Sequence, residues 1–165
     1  MNVYDIQTLF EYNRWANSRT LQSVENLTEE QLNADMKNSF GGILSTLVHI
    51  CGAEYVWLQR FTGMQPAIFI KKDDFPNLEL LKTKWKEVEE GYAKYLAKLT
   101  EEELARTFTI TTQKGDVISQ KVWQALQHLV NHSTYHRGQI TTMVRQIGST
   151  PMGTDLITFY RQKNS

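Results

Sequence analysis

The chain has 165 residues, of which 41% are hydrophobic, 11% aromatic and 22% charged, and this length and composition predict one globular domain over residues 1–165. Eighteen basic residues balance eighteen acidic ones, and a formal net charge of zero argues against nucleic acid or an anionic membrane as a partner. The one cysteine, Cys51, cannot form an intramolecular disulfide, and neither a signal peptide nor a long apolar run is evident, so a cytoplasmic location is expected.

Four long segments carry apolar residues at helical spacing, which predicts an all-α fold built as a four-helix bundle. Capping signals mark several ends: Asn77 suits the start of the third helix, while Gly63 and Gly148 suit the ends of the second and fourth. The predicted ranges are residues 3–24, 43–61, 77–99 and 119–147. The spacing of the four helices leaves their order and handedness open.

Shorter elements are predicted between the long helices and after them. Thr28 and Thr100 each precede acidic residues and a leucine, as at the start of a helix of one or two turns. β-Branched residues flank a glycine turn within residues 107–118 and predict a small hairpin. Residues 63–76 read as a loop, and residues 155–160 as a last short helix.

Three of the four histidines lie within nine residues of the fourth helix, at His128, His132 and His136. A spacing of i, i+4 places two imidazoles on one side of a helix, where both can bind one metal ion. At about 100° per residue, His136 lies roughly 40° from the centre of the apolar face, His132 roughly 80° and His128 roughly 120°. The favoured pair is therefore His132 with His136, and His128 is expected on the polar side.

The residues alone leave the rest of such a site open. Histidines on helices are often core or surface residues without a metal, and two ligands fall short of the three protein ligands that a catalytic zinc site usually has. The remaining histidine, His49, lies in an uncharged stretch of the second helix, where an imidazole needs a partner. Because that helix is apolar around most of its circumference, helical phase does not show which neighbour His49 faces.

A longer pattern makes the interpretation specific. Residues 131–140, NHSTYHRGQI, together with the segment that follows to residue 155, closely resemble the DinB family of DinB/YfiT-like metal-binding bundles. Residues 12–17, YNRWAN, and 49–54, HICGAE, match in the same order, and the resemblance covers essentially the whole chain. The resemblance implies a bundle of up-down-down-up topology and one divalent metal ion held by three histidines. Because members of the family are often homodimers, it also implies a homodimer. Carried onto this sequence, the metal ligands are His49, His132 and His136.

The resemblance implies less about the reaction. Some relatives are thiol transferases or isomerases that use a small thiol such as bacillithiol or mycothiol, whereas DNA damage-inducible members have no established reaction. Three neutral imidazoles leave a divalent ion with its full charge and an open position, where it lowers the pKa of water or deprotonates a thiol. We expect a metal-dependent thiol S-transferase or hydrolase acting on a small molecule. The alternative is a non-catalytic metal- or ligand-binding stress-response protein. The metal is expected to be zinc, nickel, iron or manganese.

No catalytic residue is assigned, although four residues near the histidines were natural candidates. Glu54 lies nearly half a turn from His49, so a solvated or ion-paired role is at least as well supported as catalysis. Cys51 faces away from His49 and is expected to be a small buried apolar residue. Tyr135 and Arg137 are expected to point away from the ligands, with Arg137 meeting an anionic substrate or an acid on a neighbouring helix.

Overall fold

A computed structural model describes residues 1–64, 66–112 and 115–164 of the chain. Within these residues the chain forms seven α-helices and one two-stranded antiparallel sheet, so the predicted all-α bundle and its small hairpin are confirmed. The helices are α1 Val3–Val24, α2 Glu29–Asn33, α3 Ile43–Phe61, α4 Leu78–Leu96, α5 Glu101–Ala105, α6 Val122–Gln146 and α7 Leu156–Lys163; the strands are β1 Thr107–Thr111 and β2 Val117–Lys121.

The helix starts follow the capping chemistry that the sequence predicts. Asn77 and Thr100 accept hydrogen bonds from the backbone N–H groups of the third residue of α4 and α5. Thr28 does the same for α2 and receives a reciprocal bond from the side chain of Gln31, which completes a capping box. These caps satisfy N–H groups that a helix terminus otherwise leaves without partners.

Three predicted boundaries differ from the observed ones. The fourth long helix, α6, begins at Val122 rather than near residue 119, because residues 119–121 pair with β1 and complete the hairpin. Helix α4 ends at Leu96 instead of Leu99, where the chain turns before Thr100 caps α5. The last helix continues past residue 160 to Lys163. Residues 113 and 114, in the predicted hairpin turn, lie outside the described residues.

Contacts between the long helices determine their directions. Residues that pair across α1 and α6, or across α3 and α4, increase in number together, so each of these pairs is parallel. Across α3 and α6, and across α1 and α4, the numbers run in opposite senses. For α1 and α6 the pairs are Asn13–Arg137 and Arg19–Gly153, with Gly153 in the segment that follows α6. For α3 and α4 they are Glu54–Trp85 and Leu58–Gly91, and for α3 and α6 they are His49–His132 and Trp57–His128. For α1 and α4 they are Gln7–Leu96 and Glu25–Lys82, with Glu25 as the C-cap residue of α1. The topology is therefore up-down-down-up, as the resemblance implied.

The interior of the bundle is filled by apolar side chains from all four long helices. Fully buried members include Leu47, Trp85, Leu126 and Ile140, and each such side chain stabilises the fold by about 1.5–3 kcal/mol relative to an exposed position. None of the described helices is both long enough and apolar enough to cross a membrane.

Candidate metal centre

The second and fourth long helices bring three histidines together. His49 projects from α3, and His132 and His136 project from α6, with ring centroids separated by 4.5 to 4.9 Å. One ring nitrogen from each histidine lies within 4.8 Å of the other two, and the Nε2 atoms of His49 and His132 are 3.0 Å apart. These are the three residues that the resemblance implied as ligands.

His128 lies outside this group, as helical phase predicts. Its side chain is exposed, and its ring packs edge-on against Trp57 at a centroid distance of 6.0 Å. The ring centroid of His132 is 5.9 Å away. His128 is therefore a neighbour of the three-histidine group and not a member of it.

A neighbouring amide determines the orientation of the His136 ring. Its Nδ1 atom lies 2.8 Å from Oε1 of Gln139, one helical turn further along α6. Because an amide oxygen only accepts hydrogen bonds, Nδ1 carries the proton and the lone pair of Nε2 stays free for a metal ion. Sequence reasoning missed Gln139, although its i, i+3 spacing from His136 is a signal that could have found it.

An aromatic side chain covers one side of the group. The ring of Phe40 stacks on His49 at a centroid distance of 3.9 Å and an interplanar angle of 21°, and it meets the ring of His136 edge-on at 5.4 Å. Phe40 is presented by a tight turn in which its backbone N–H donates to Asn38 and the next residue, Gly41, has a φ of +84°. This left-handed conformation favours glycine, so the turn chemistry helps to place Phe40 over the histidines.

Burial keeps the imidazoles of His49 and His132 neutral. It lowers the pKa of His49 to about 4, with the nearby charge of His136 adding to the effect. Burial also lowers the pKa of His132 to about 3, together with repulsion from the other histidines. Both rings are therefore uncharged near neutral pH, which is the state in which an imidazole binds a metal ion.

The donor set fits a divalent transition-metal ion. Metal–nitrogen bonds of about 2.0–2.1 Å in a tetrahedral arrangement place two ligand nitrogens about 3.3 Å apart, close to the 3.0 Å between His49 and His132. In the part of the chain that the structure describes, no cysteine, carboxylate or fourth histidine belongs to the group, so a bound ion would keep an open position. Imidazole ligands favour zinc, nickel, iron or copper over magnesium or calcium.

The candidate ligands differ in the hydrogen bonds that hold their rings. Nδ1 of His132 is buried and has no hydrogen-bond partner in the described part of the chain, whereas Nδ1 of His136 is held by Gln139. Tyr135 is 64% exposed, and its ring lies edge-on to His136 at 5.0 Å, so it stands at the rim of the group instead of pointing away from it. Tyr135 is thus placed to meet a molecule that approaches the histidines.

Glu54 is not solvated, and that part of the sequence interpretation is wrong. Its side chain is 2% exposed, and Oε1 accepts hydrogen bonds from Asn13 at 2.7 Å, Asn17 at 2.9 Å and Ser133 at 3.0 Å. Oε2 accepts a further bond of 2.7 Å from the indole of Trp85. The carboxylate therefore joins all four long helices from inside the bundle and does not face the three histidines.

Arg137 and Cys51 are also interior residues. Arg137 is 1% exposed and donates to side-chain oxygens of Asn13 and Asn17 and to the hydroxyl of Thr134, each at 2.7 Å. These two asparagines connect Arg137 to Glu54, an acid on the neighbouring helix α3. Because Arg137 is buried, it cannot contact a substrate. Burial raises the pKa of the Cys51 thiol, which confirms the prediction of a small buried residue.

Sequence comparison relates the chain to known proteins over nearly all of its length. The model of the DinB family matches residues 1–164. The DinB protein of Bacillus subtilis is 28% identical, in a match that covers 89% of this chain and 88% of that protein. An uncharacterized protein of the same organism, YizA, is 24% identical, with 90% and 91% covered.

Two solved structures share the fold. A DinB-like protein from Bacillus cereus superposes with a TM-score of 0.64 at 21% identity, covering 88% of this chain and 94% of its own. YfiT from Bacillus subtilis gives a TM-score of 0.60 at 21% identity, with 87% and 85% covered. YfiT is described as a probable metal-dependent hydrolase with an unusual four-helix bundle topology.

Proposed function

Because the chain belongs to the DinB family, we propose that it is a metal-dependent enzyme in which His49, His132 and His136 hold one divalent transition-metal ion. The observation that carries this proposal is the convergence of three imidazoles, two of them with a pKa lowered by burial, around a position that would leave a bound ion open to a further ligand. A purely structural site of this kind usually has four protein ligands, whereas a catalytic one leaves a position for water or substrate.

Each residue of the centre then has a defined task. When bound, the ion would act as a Lewis acid that lowers the pKa of a coordinated water or thiol. Gln139 holds the proton of His136 on Nδ1 and thereby keeps Nε2 available. Phe40 excludes water from the face of His49 that it covers, and the Tyr135 hydroxyl at the rim is available to bind or orient a substrate.

The nucleophile of the reaction comes from outside the chain in this proposal. The one cysteine is buried, and its thiol has a raised pKa, so it cannot supply a thiolate at the site. Water would make the protein a hydrolase, the class assigned as probable to YfiT. A small thiol would make it an S-transferase. Homodimer formation remains a prediction.

A non-catalytic role is the second candidate, and the placement of the ligands favours it. His49 lies on α3, while the other two histidines lie on α6, so one ion would tie two helices together and stabilise the fold. A stress-response protein that binds a metal for stability or storage needs no more than this.

Turnover by protein of known metal content distinguishes the two candidates. The chain is stripped with a chelator, reloaded separately with zinc, nickel, iron(II) or manganese, and given p-nitrophenyl esters, or an electrophile together with bacillithiol. We expect turnover with at least one metal, and none for the stripped protein or His132→Ala. Bound metal without turnover of any substrate would favour the non-catalytic role. A chain that binds none of the four metals would contradict both.

A further inference from the structure

A cavity of about 510 Å³ lies beside the three histidines, and His49 forms part of its wall. Its other walls come from α3 and from the segment that leads into residue 72. The lining includes Phe40, Trp57, Arg60, Phe69, Ile70 and Lys72. A volume of this size matches the pockets that bind small molecules.

The far wall of this cavity is built into the fold. Gln59, which is buried in α3, exchanges two hydrogen bonds with the backbone of Ile68: its amide donates to the carbonyl at 2.9 Å and accepts from the N–H at 2.8 Å. Gly52 lets this segment approach closely, because a Cβ at that position would lie 3.2 Å from Ile70. These contacts fix residues 68–70 against α3, so the cavity wall that they form has a defined position.

The lining combines aromatic surface with positive charge. Phe40, Trp57 and Phe69 supply aromatic rings, and Phe69 remains 44% exposed. Among the described residues, the charged members of the lining are Arg60 and Lys72, and none is a carboxylate. A ligand that fits this surface has an apolar or aromatic body and an anionic group.

Arg60 is the residue of the lining whose surroundings most favour a bound anion. It is half-buried, and its guanidinium lies 4.9 Å from the centroid of the Trp57 ring. Among the described residues it has no carboxylate within ion-pair distance. A partly desolvated guanidinium without a counterion gains more from a carboxylate than an exposed one does, since it has already lost part of its hydration.

We propose that this cavity is the substrate pocket of the metal centre and that it takes a small organic anion with an aromatic or apolar body, whose charge is bound by Arg60. The proposal rests on the proposed function, because His49 belongs both to the cavity wall and to the candidate metal site. A molecule seated in the cavity would then present its reacting end to the histidines.

Binding to metal-free protein tests the pocket separately from the metal. The probes are 1-naphthylacetate and its neutral analogue 1-naphthylacetamide, followed through the indole N–H resonance of Trp57, which Trp57→Phe identifies among the four tryptophans. We expect the acid to bind at least about fivefold more tightly than the amide. Arg60→Gln should bring this ratio close to one, Arg60→Lys should keep part of it, and the exposed control Arg161→Gln should leave it unchanged.

Equal binding of acid and amide, or a preference that survives in Arg60→Gln, would overturn the pocket assignment, as would a response at another tryptophan in place of Trp57. Each preparation is then reloaded with metal, and its metal content and turnover are measured. A charge preference that depends on Arg60 in a protein without metal-dependent turnover would support the anion site and reject the enzymatic function. Metal-dependent turnover without such a charge preference would support the enzymatic function and reject the anion site.

Discussion

Glu54 and Arg137 are buried side chains of opposite charge that are joined through Asn13 and Asn17 and not by a direct ion pair. Each asparagine donates its amide N–H to Glu54 and accepts a hydrogen bond of 2.7 Å from Arg137. The amide dipoles therefore lie between the two charges in the favourable sense. Ser133, next to a metal-ligand candidate on α6, donates to the same carboxylate, so this network also sets the rotation of the helix that presents the histidines.

Replacement of Glu54 by glutamine should destabilise the protein strongly. The variant removes the negative charge opposite Arg137 and places an amide NH₂ among four donors, so at least one buried group loses its partner. Removal of one member of a buried charge pair lowers the free energy of unfolding by about 3–5 kcal/mol. Urea unfolding of metal-free protein measures this loss.

Glu90→Gln is the matched control for that measurement, since Glu90 is an exposed glutamate on α4. Its effect should stay within about 0.5 kcal/mol of wild type. If Glu54→Gln were as stable as this control, the carboxylate would not be a central support of the bundle.

The contrast between the histidines and Glu54 shows what the sequence can and cannot predict. Helical phase separates His128 from His132 and His136 because α6 has one clear apolar face, and capping residues locate the starts of α2, α4 and α5. Glu54 lies on α3, which is apolar around most of its circumference, and its partners come from three other helices. Nothing local to Glu54 in the sequence marks a carboxylate that accepts four hydrogen bonds.

The start of α6 shows a second limit. Residues 117–121 contain β-branched and polar side chains that suit either a strand or the first turn of a helix. Pairing with β1 decides in favour of the strand. The side chains of residues 117–121 do not by themselves show how far this pairing extends. The third candidate ligand, His49, is likewise not predicted by its own helix, because α3 is apolar around most of its circumference. Its assignment follows from the family resemblance.

Alanine substitutions should separate the three candidate ligands from the fourth histidine. His49→Ala, His132→Ala and His136→Ala each leave two imidazoles, so each purified variant should contain far less bound metal than wild type. His128→Ala should retain the wild-type metal content, because His128 lies outside the group. Metal analysis by inductively coupled plasma mass spectrometry gives the four values. Full retention in His49→Ala would disprove the three-histidine assignment.

Gln139→Leu should weaken metal binding without removing a ligand. The hydrogen bond from His136 to Gln139 holds the ring in the tautomer and orientation that bind metal, and loss of such a partner lowers metal affinity by about 10- to 100-fold. Competition with a chromophoric chelator measures the affinity. The exposed Gln127 on the same helix supplies the control Gln127→Leu, which should bind metal like wild type. Equal affinities of the two variants would show that Gln139 does not orient the ring.

Two helical glycines should respond to alanine with opposite signs. A Cβ on Gly91 of α4 would overlap the Cδ2 methyl of Leu58 on α3, whereas a Cβ on Gly138 of α6 meets nothing within 4 Å. Gly138→Ala should therefore stabilise the protein by about 0.5–1 kcal/mol through helix propensity. Gly91→Ala should destabilise it by about 1–3 kcal/mol through overpacking.

The double variant Gly91→Ala with Leu58→Ala tests the cause of that loss. With the methyl of Leu58 removed, the added Cβ has room, and Gly91→Ala measured against Leu58→Ala should become neutral or stabilising. Thermal and urea unfolding of wild type, the two single variants and the double variant complete this double-mutant cycle. If Gly91→Ala destabilised both backgrounds equally, contact with Leu58 would not explain the effect.

Glu89 should make the stability of the protein depend on pH between about 4.5 and 7. It lies on α4 in the cleft against α1, where burial raises its pKa from 4.5 to about 7, the charge of Glu54 adds to the rise and Arg14 opposes it. In this window the folded chain holds a proton that the unfolded chain has released. The contribution of Glu89 to the free energy of unfolding therefore falls as pH rises. Glu89→Gln cannot ionise and should lose this dependence.

The variant should be about 1 kcal/mol more stable than wild type at pH 8, a value reduced for the partial exposure of Glu89, and equal to it at pH 4. Urea unfolding of metal-free protein across this range measures the difference, and Glu90→Gln should follow the wild-type curve throughout. An advantage of Glu89→Gln that grew towards low pH would reverse the sign and refute the assignment. The chelator removes the separate pH dependence of metal binding. The lowered pKa values of His49 and His132 add a slope of opposite sign to wild type and variant alike, so the difference between the two proteins reports Glu89.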